Sequence, residues 1–176
     1  EAAEPGGRPA PPRAGGVAGL SNGGTCAMQV VTRSPGVYRT FLAISAEEHP
    51  TLGSKERTIS QGFGGDRAAY EANDPLSLMS TAPPGRYDGI AGILSVGRQD
   101  TSYRGAVPVL AEAATRAGMT VSTRQYDGAH TWAVWGAARA SCVQTPGEAI
   151  CILSKIEGLG GILDLWINGK LFALNC

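Results

Sequence analysis

Gly19-Leu20-Ser21-Asn22-Gly23-Gly24, written GLSNGG in one-letter code, is the stretch that decides the fold. It joins the apolar run Val17-Ala18-Gly19-Leu20 to a segment, Asn22 to Arg33, that reads as a helix. Small residues at 19, 23 and 24 allow a tight turn in which the Ser21 hydroxyl projects while its backbone crowds the helix start. That Gly-x-Ser-x-Gly spacing is the strand-to-helix turn of a nucleophilic serine. The helix N-terminus adds a preference for developing negative charge. Such a short pattern also arises by chance in a chain with 25 glycines, and the bland alternative is an ordinary glycine-rich helix cap.

Working outward, Thr40 to Ser45 (TFLAIS) reads as the next strand, which completes a strand, turn, helix, strand unit. After a loop, residues 64 to 72 look helical, and Asp74-Pro75 offers an N-cap followed by a proline at the first helical position. GIAGILSVG (89 to 97) is a buried strand, and residues 105 to 118 form a helix closing on Gly118. TVSTRQY (120 to 126) is an alternating strand, and TWAVWGAARA (131 to 140) is a further helix. This alternation predicts an α/β fold: a three-layer α/β/α sandwich on a mostly parallel sheet of about four strands, from about Val17 to Ala140. Residues 1 to 16, almost wholly Pro, Gly, Ala, Arg and Glu, read as a disordered leader. From 141 to 176 the vocabulary shifts to Ile, Leu, Lys and Asn, and Asn168-Gly169 signals a β-hairpin in an atypical tail.

Composition narrows the function classes. The 15 basic and 15 acidic residues balance and are interspersed, which argues against a nucleic-acid or anionic-lipid partner. No segment has the apolar length of a membrane span, since the best candidate, 149 to 167, carries Lys155, Glu157 and Asp164. No apolar signal stretch opens the chain, and the sequence carries no address label. Cys26, Cys142, Cys151 and Cys176 lack metal-ligand spacing and neither histidine is near them in sequence, so no metal site is expected.

In an open parallel sheet, active groups gather in the loops at the carboxyl ends of the strands. Ser21, Asp100 and His130 each follow a separate predicted strand, and the order Ser, Asp, His is that of the α/β-hydrolase triad. Taken singly, Asp100 also fits a loop residue or helix cap, and His130 a surface histidine. GLSNGG, YEANDPLSL, SVGRQD and GAHTWAVWGAA resemble the esterase-D-like and mycolyltransferase-like branch of the α/β-hydrolases. The most specific element is His130-Thr131-Trp132 with Trp135-Gly136-Ala137.

The resemblance implies a serine hydrolase, an esterase or acyltransferase on carboxylic esters, with Ser21 as nucleophile, His130 as base and Asp100 orienting the imidazole. The partner is then a small-molecule, lipid or sugar ester, and the triad needs no cofactor. The mycolyltransferases carry their acid as a helical glutamate, which makes Glu112 the alternative acid. Asn22 would lend its backbone N–H to an oxyanion hole. Trp132 and Trp135 lie three apart on one helical face, either as core packing or as a wall for the acyl chain. His49, before a proline in a loop, is left outside the triad. Family members carry strands ahead of the elbow that supply a second oxyanion donor, and nothing before Val17 resembles them. The competing expectation is therefore a truncated, catalytically incompetent fragment acting at most as a binding or association module, with an exposed sheet edge favouring self-association.

Overall fold

The computed structural model describes residues 15–139 and four further strand segments at 142–145, 148–151, 163–167 and 170–174. In chain order the elements are β1 (Gly15–Leu20), α1 (Asn22–Arg33), β2 (Tyr38–Ile44), α2 (Lys55–Arg57), a π-helical turn (Thr58–Gly62), α3 (Arg67–Glu71), α4 (Pro75–Ser80), β3 (Ala91–Gly97), α5 (Ala106–Arg116), β4 (Thr120–Tyr126) and α6 (Trp132–Arg139). Strands β1 to β4 form one sheet in that spatial order, and each neighbouring pair is parallel.

Side chains alternate across this sheet and so create two apolar faces. On one face Val17, Phe41 and Leu94 are buried in a cluster that includes Met28 and Val31 of α1 and Leu110 and Ala114 of α5. On the other, Leu42, Ile44 and Ile93 share a cluster with Val134, Trp135 and Ala138 of α6. The expected α/β/α layering is thus present. Burying each large aliphatic side chain is worth about 1.5–3 kcal/mol. β3 is buried at all seven positions, as its unbroken apolar and small sequence requires. β4, at the edge, departs from the expected alternation: only Val121 and Tyr126 are even partly buried.

Local signals explain several boundaries. The Asp74 side chain accepts from Ser77 N–H at the start of α4, with Pro75 in the first turn. Helix α5 ends in a Schellman arrangement: Gly118 N–H donates to Thr115 and Met119 N–H to Ala114, with Gly118 at φ +99°. β1 begins at Gly15, two residues ahead of Val17, where the ordered part was expected to start; the rest of the expected leader lies outside the described residues. In the C-terminal part, β5 (Cys142–Thr145) pairs antiparallel with β6 (Glu148–Cys151), and β7 (Leu163–Ile167) with β8 (Lys170–Leu174). Ile167 pairs with Lys170; Asn168-Gly169, the expected turn between them, lies outside the described residues. Among the described residues no helix is long and apolar enough to cross a membrane.

Candidate active site

Ser21 occupies the corner between β1 and α1 with φ 54° and ψ −125°, a left-handed backbone that non-glycine residues seldom adopt. The corner is clamped: Ser21 N–H donates to Ile44 of β2, while the Ser21 carbonyl accepts from Gly24 and Thr25. Gly24 permits the clamp, because a Cβ there would stand 2.7 Å from the Ile44 carbonyl oxygen. The strained turn turns the hydroxyl toward the carboxyl ends of the strands. Asn22 opens α1 with its side chain exposed, and its N–H is one of the first-turn donors that no helical carbonyl can reach.

His130 joins the other two residues. Its Nε2 lies 2.9 Å from Ser21 Oγ, and its Nδ1 lies 2.8 Å from Asp100 Oδ2. Asp100 is almost completely buried, and its second oxygen accepts from Tyr103 N–H at 3.3 Å. An ionised carboxylate only accepts, so it selects the tautomer with the proton on Nδ1 and leaves Nε2 as the acceptor facing the serine hydroxyl. Two loops must meet for this contact. Arg98 N–H donates to the Tyr126 carbonyl and Gln99 N–H to that of Gly128, while Gly128 N–H donates to the Gln99 side chain. Gly97 sits directly beneath this junction, where any Cβ would collide with the Gly128 carbonyl oxygen.

Two rings flank the imidazole. Tyr103 stacks on its face at 4.2 Å and 18°, and Trp135 meets it edge-on at 4.8 Å. Trp135 is buried and directs its indole N–H to Ser45 Oγ at 3.4 Å. Trp132 is 57% exposed and touches Trp135 edge-on, so the pair expected to act as one face is divided between core and surface. The alternative acid is not at the site: Glu112 is exposed on α5 and pairs with Arg116 at 3.3 Å.

Sequence reasoning left out Tyr103, Glu47 and the pairing of His49. Tyr103 had no motif of its own, and its only signal was its position three residues after Asp100. Glu47 follows β2, with its backbone N–H bound to Thr25 Oγ1 of α1. Burial pushes the Glu47 carboxyl above the usual carboxylate range, and the His130 imidazole partly offsets the shift. His49 is not an isolated loop histidine, because its Nδ1 lies 2.8 Å from Oδ1 of the buried Asp74. Cys26, one turn into α1, is disulfide-bonded. Among the described residues no cluster of His, Cys, Asp and Glu could hold a metal ion.

This combination of parallel sheet, strained elbow and hydrogen-bonded Ser, His and Asp defines a protein of the α/β-hydrolase type. Comparison with known families agrees: the Esterase family model matches residues 6–140, and the chain belongs to that family. An uncharacterized protein of Corynebacterium glutamicum is 38% identical over 128 residues, which cover 71% of this chain and 30% of that protein. Among solved structures, a ferulic acid esterase superposes with a TM-score of 0.55 at 22% identity, covering 69% of this chain and 47% of that one. The S-formylglutathione hydrolase of Agrobacterium tumefaciens gives 0.53 at 24% identity, over 66% of this chain and 42% of that one. The fluorophosphonate-binding serine hydrolase F of Staphylococcus aureus gives 0.53 at 20% identity, over 71% and 51%. The chain thus spans 30% of the length of the curated relative and about half of these structures. The family match begins at residue 6, so part of the expected leader belongs to the family sequence.

Proposed function

We propose that the chain carries the catalytic triad of a serine hydrolase acting on carboxylic esters, with Ser21 as nucleophile, His130 as general base and Asp100 as the group that orients His130. The observation that carries this reading is the unbroken hydrogen-bond series from Asp100 through both ring nitrogens of His130 to Ser21 Oγ. Ser21 Oγ attacks the ester carbonyl carbon while His130 Nε2 takes the hydroxyl proton, giving a tetrahedral oxyanion beside the start of α1. The Asn22 N–H is the donor available to that oxyanion from this segment. Collapse breaks the bond to the alcohol oxygen, which leaves with the proton from His130, and the acyl group remains on Ser21. Water then attacks the acyl carbonyl carbon as His130 Nε2 takes its proton, and the acid is released when the bond to Ser21 Oγ breaks and His130 returns that proton to Oγ; an alcohol in place of water gives transacylation. Nucleophile, base and orienter are all side chains, so no cofactor takes part.

A fluorophosphonate probe read by intact mass tests the assignment. Stoichiometric labelling that disappears in Ser21→Ala and His130→Ala is the expected result. A folded chain that stays unlabelled favours the competing reading, a fragment whose exposed β4 edge serves association.

A further inference from the structure

A recess of about 330 Å³ lies between the loop after β2 and the loop after β3, the loop that carries Asp100. Thr101 and Ser102, which directly follow Asp100, form one wall; Glu47, Glu48 and His49 form the other. His49 is held as His130 is held. Asp74 gives Oδ1 to the His49 ring at 2.8 Å, and its Oδ2 accepts from Ser77 Oγ at 2.7 Å and from Ser77 N–H at 3.3 Å. An ionised Asp74 fixes the proton on His49 Nδ1, so the neutral ring offers Nε2 as an acceptor. No group among the described residues bonds to that Nε2, and the His49 side chain is 41% exposed.

The wall of Glu47, Glu48 and His49 therefore presents acceptors, namely one imidazole nitrogen and two carboxylates, and the hydroxyls of Thr101 and Ser102 on the opposite wall can serve in either sense. Lys55, the one cation among the described residues that line the recess, stands over the Tyr70 ring at 5.3 Å from its centroid. Such a lining suits a ligand rich in O–H donors and repels an anion.

Building on the triad reading, we propose that this recess is the alcohol-side subsite, binding a polyhydroxyl, uncharged leaving group or acceptor through His49 and rejecting anionic alcohols through Glu47. His49 is a specificity-determining residue, and Asp74 positions it.

The full chain is first treated with an uncharged fluorophosphonate, then assayed on esters of one short acid with glycerol, ethanol and glycolate. The expected result is labelling at Ser21 and a kcat/KM for the glycerol ester about tenfold or more above the other two, since a site built for hydroxyl groups discriminates against analogues lacking them. His49→Ala lowers the glycerol-to-ethanol ratio about tenfold, mainly through KM, and Glu47→Gln raises the glycolate-to-ethanol ratio by about the same factor. Labelling with equal rates on all three esters, or ratios untouched by both variants, overturns the subsite while leaving the triad standing. If His49→Ala does not fold, the glycolate ratio in Glu47→Gln decides. An unlabelled, folded chain overturns the triad reading and the subsite with it.

Discussion

The molecule holds two Asp–His pairs at the carboxyl edge of one sheet, and they are built alike. In each, a nearly fully buried aspartate gives one oxygen to an imidazole Nδ1 at 2.8 Å and the other to the backbone N–H three residues on, Tyr103 in one pair and Ser77 in the other. The difference lies beyond the imidazole. His130 Nε2 meets Ser21 on its strained corner, whereas His49 Nε2 opens onto the recess. On the proposed reading, the same orienting device serves proton transfer where a nucleophile stands beyond the ring, and recognition where none does.

The largest expected effects separate the pairs by chemistry. Ser21→Ala or His130→Ala should abolish labelling and lower kcat for ester hydrolysis by about 10⁴-fold or more, against about tenfold on one substrate class for His49→Ala. Equal losses from the two histidine variants would break the comparison. Asp100→Asn, which favours the wrong tautomer, should lower kcat by about 10³ to 10⁴-fold. Asp74→Ala should instead appear mainly in stability, at about 1–3 kcal/mol in denaturant unfolding, because it strips a helix cap and the His49 contact together.

Gly97→Ala probes how the triad pair is assembled. A methyl group beneath the Gly128 carbonyl forces the two loops apart, so a cost of about 1–3 kcal/mol should accompany a loss of labelling rate at temperatures where the variant is fully folded. Glu47 gives the pH-dependent term between the pairs. Its carboxyl titrates above the ordinary range because burial penalises the charge, so its contribution to stability is whole below the unfolded-state value and is lost as pH rises through the folded-state value. Glu47→Gln should therefore raise Tm relative to the parent at about pH 8 and change it little at about pH 4. The smallest effect belongs to Glu112→Gln, an exposed partner of Arg116: within about 0.5 kcal/mol in stability, and no change in labelling.

Where these residues stand in the sequence explains how much of them could be read there. The spans of α1 and β4 are those expected, and the Asp74-Pro75 start of α4 is where its capping signal puts it. The π-helical turn at Thr58–Gly62 has no periodic signal in the sequence, which reads as loop there. The elbow was legible because its demands are local, with glycines needed within a few residues of Ser21. His49 looks like a solitary loop histidine in the sequence because its partner Asp74 lies 25 residues away.

The sequence by itself determined the alternation of strands and helices, the elbow, the caps and the order of Ser21, Asp100 and His130, since each depends on neighbours within a turn of helix or a pair of strand residues. Only the tertiary structure decided that Asp100 and not Glu112 reaches His130, that Tyr103 and Trp135 enclose that imidazole, and that Asp74 orients His49. The Asp100–His130, Ser21–His130 and Asp74–His49 contacts span 30, 109 and 25 residues along the chain, and the first two exist because parallel register brings the carboxyl ends of β1, β3 and β4 to one edge. Register follows from burying both faces of the sheet at once, a condition on the whole chain that no short stretch carries.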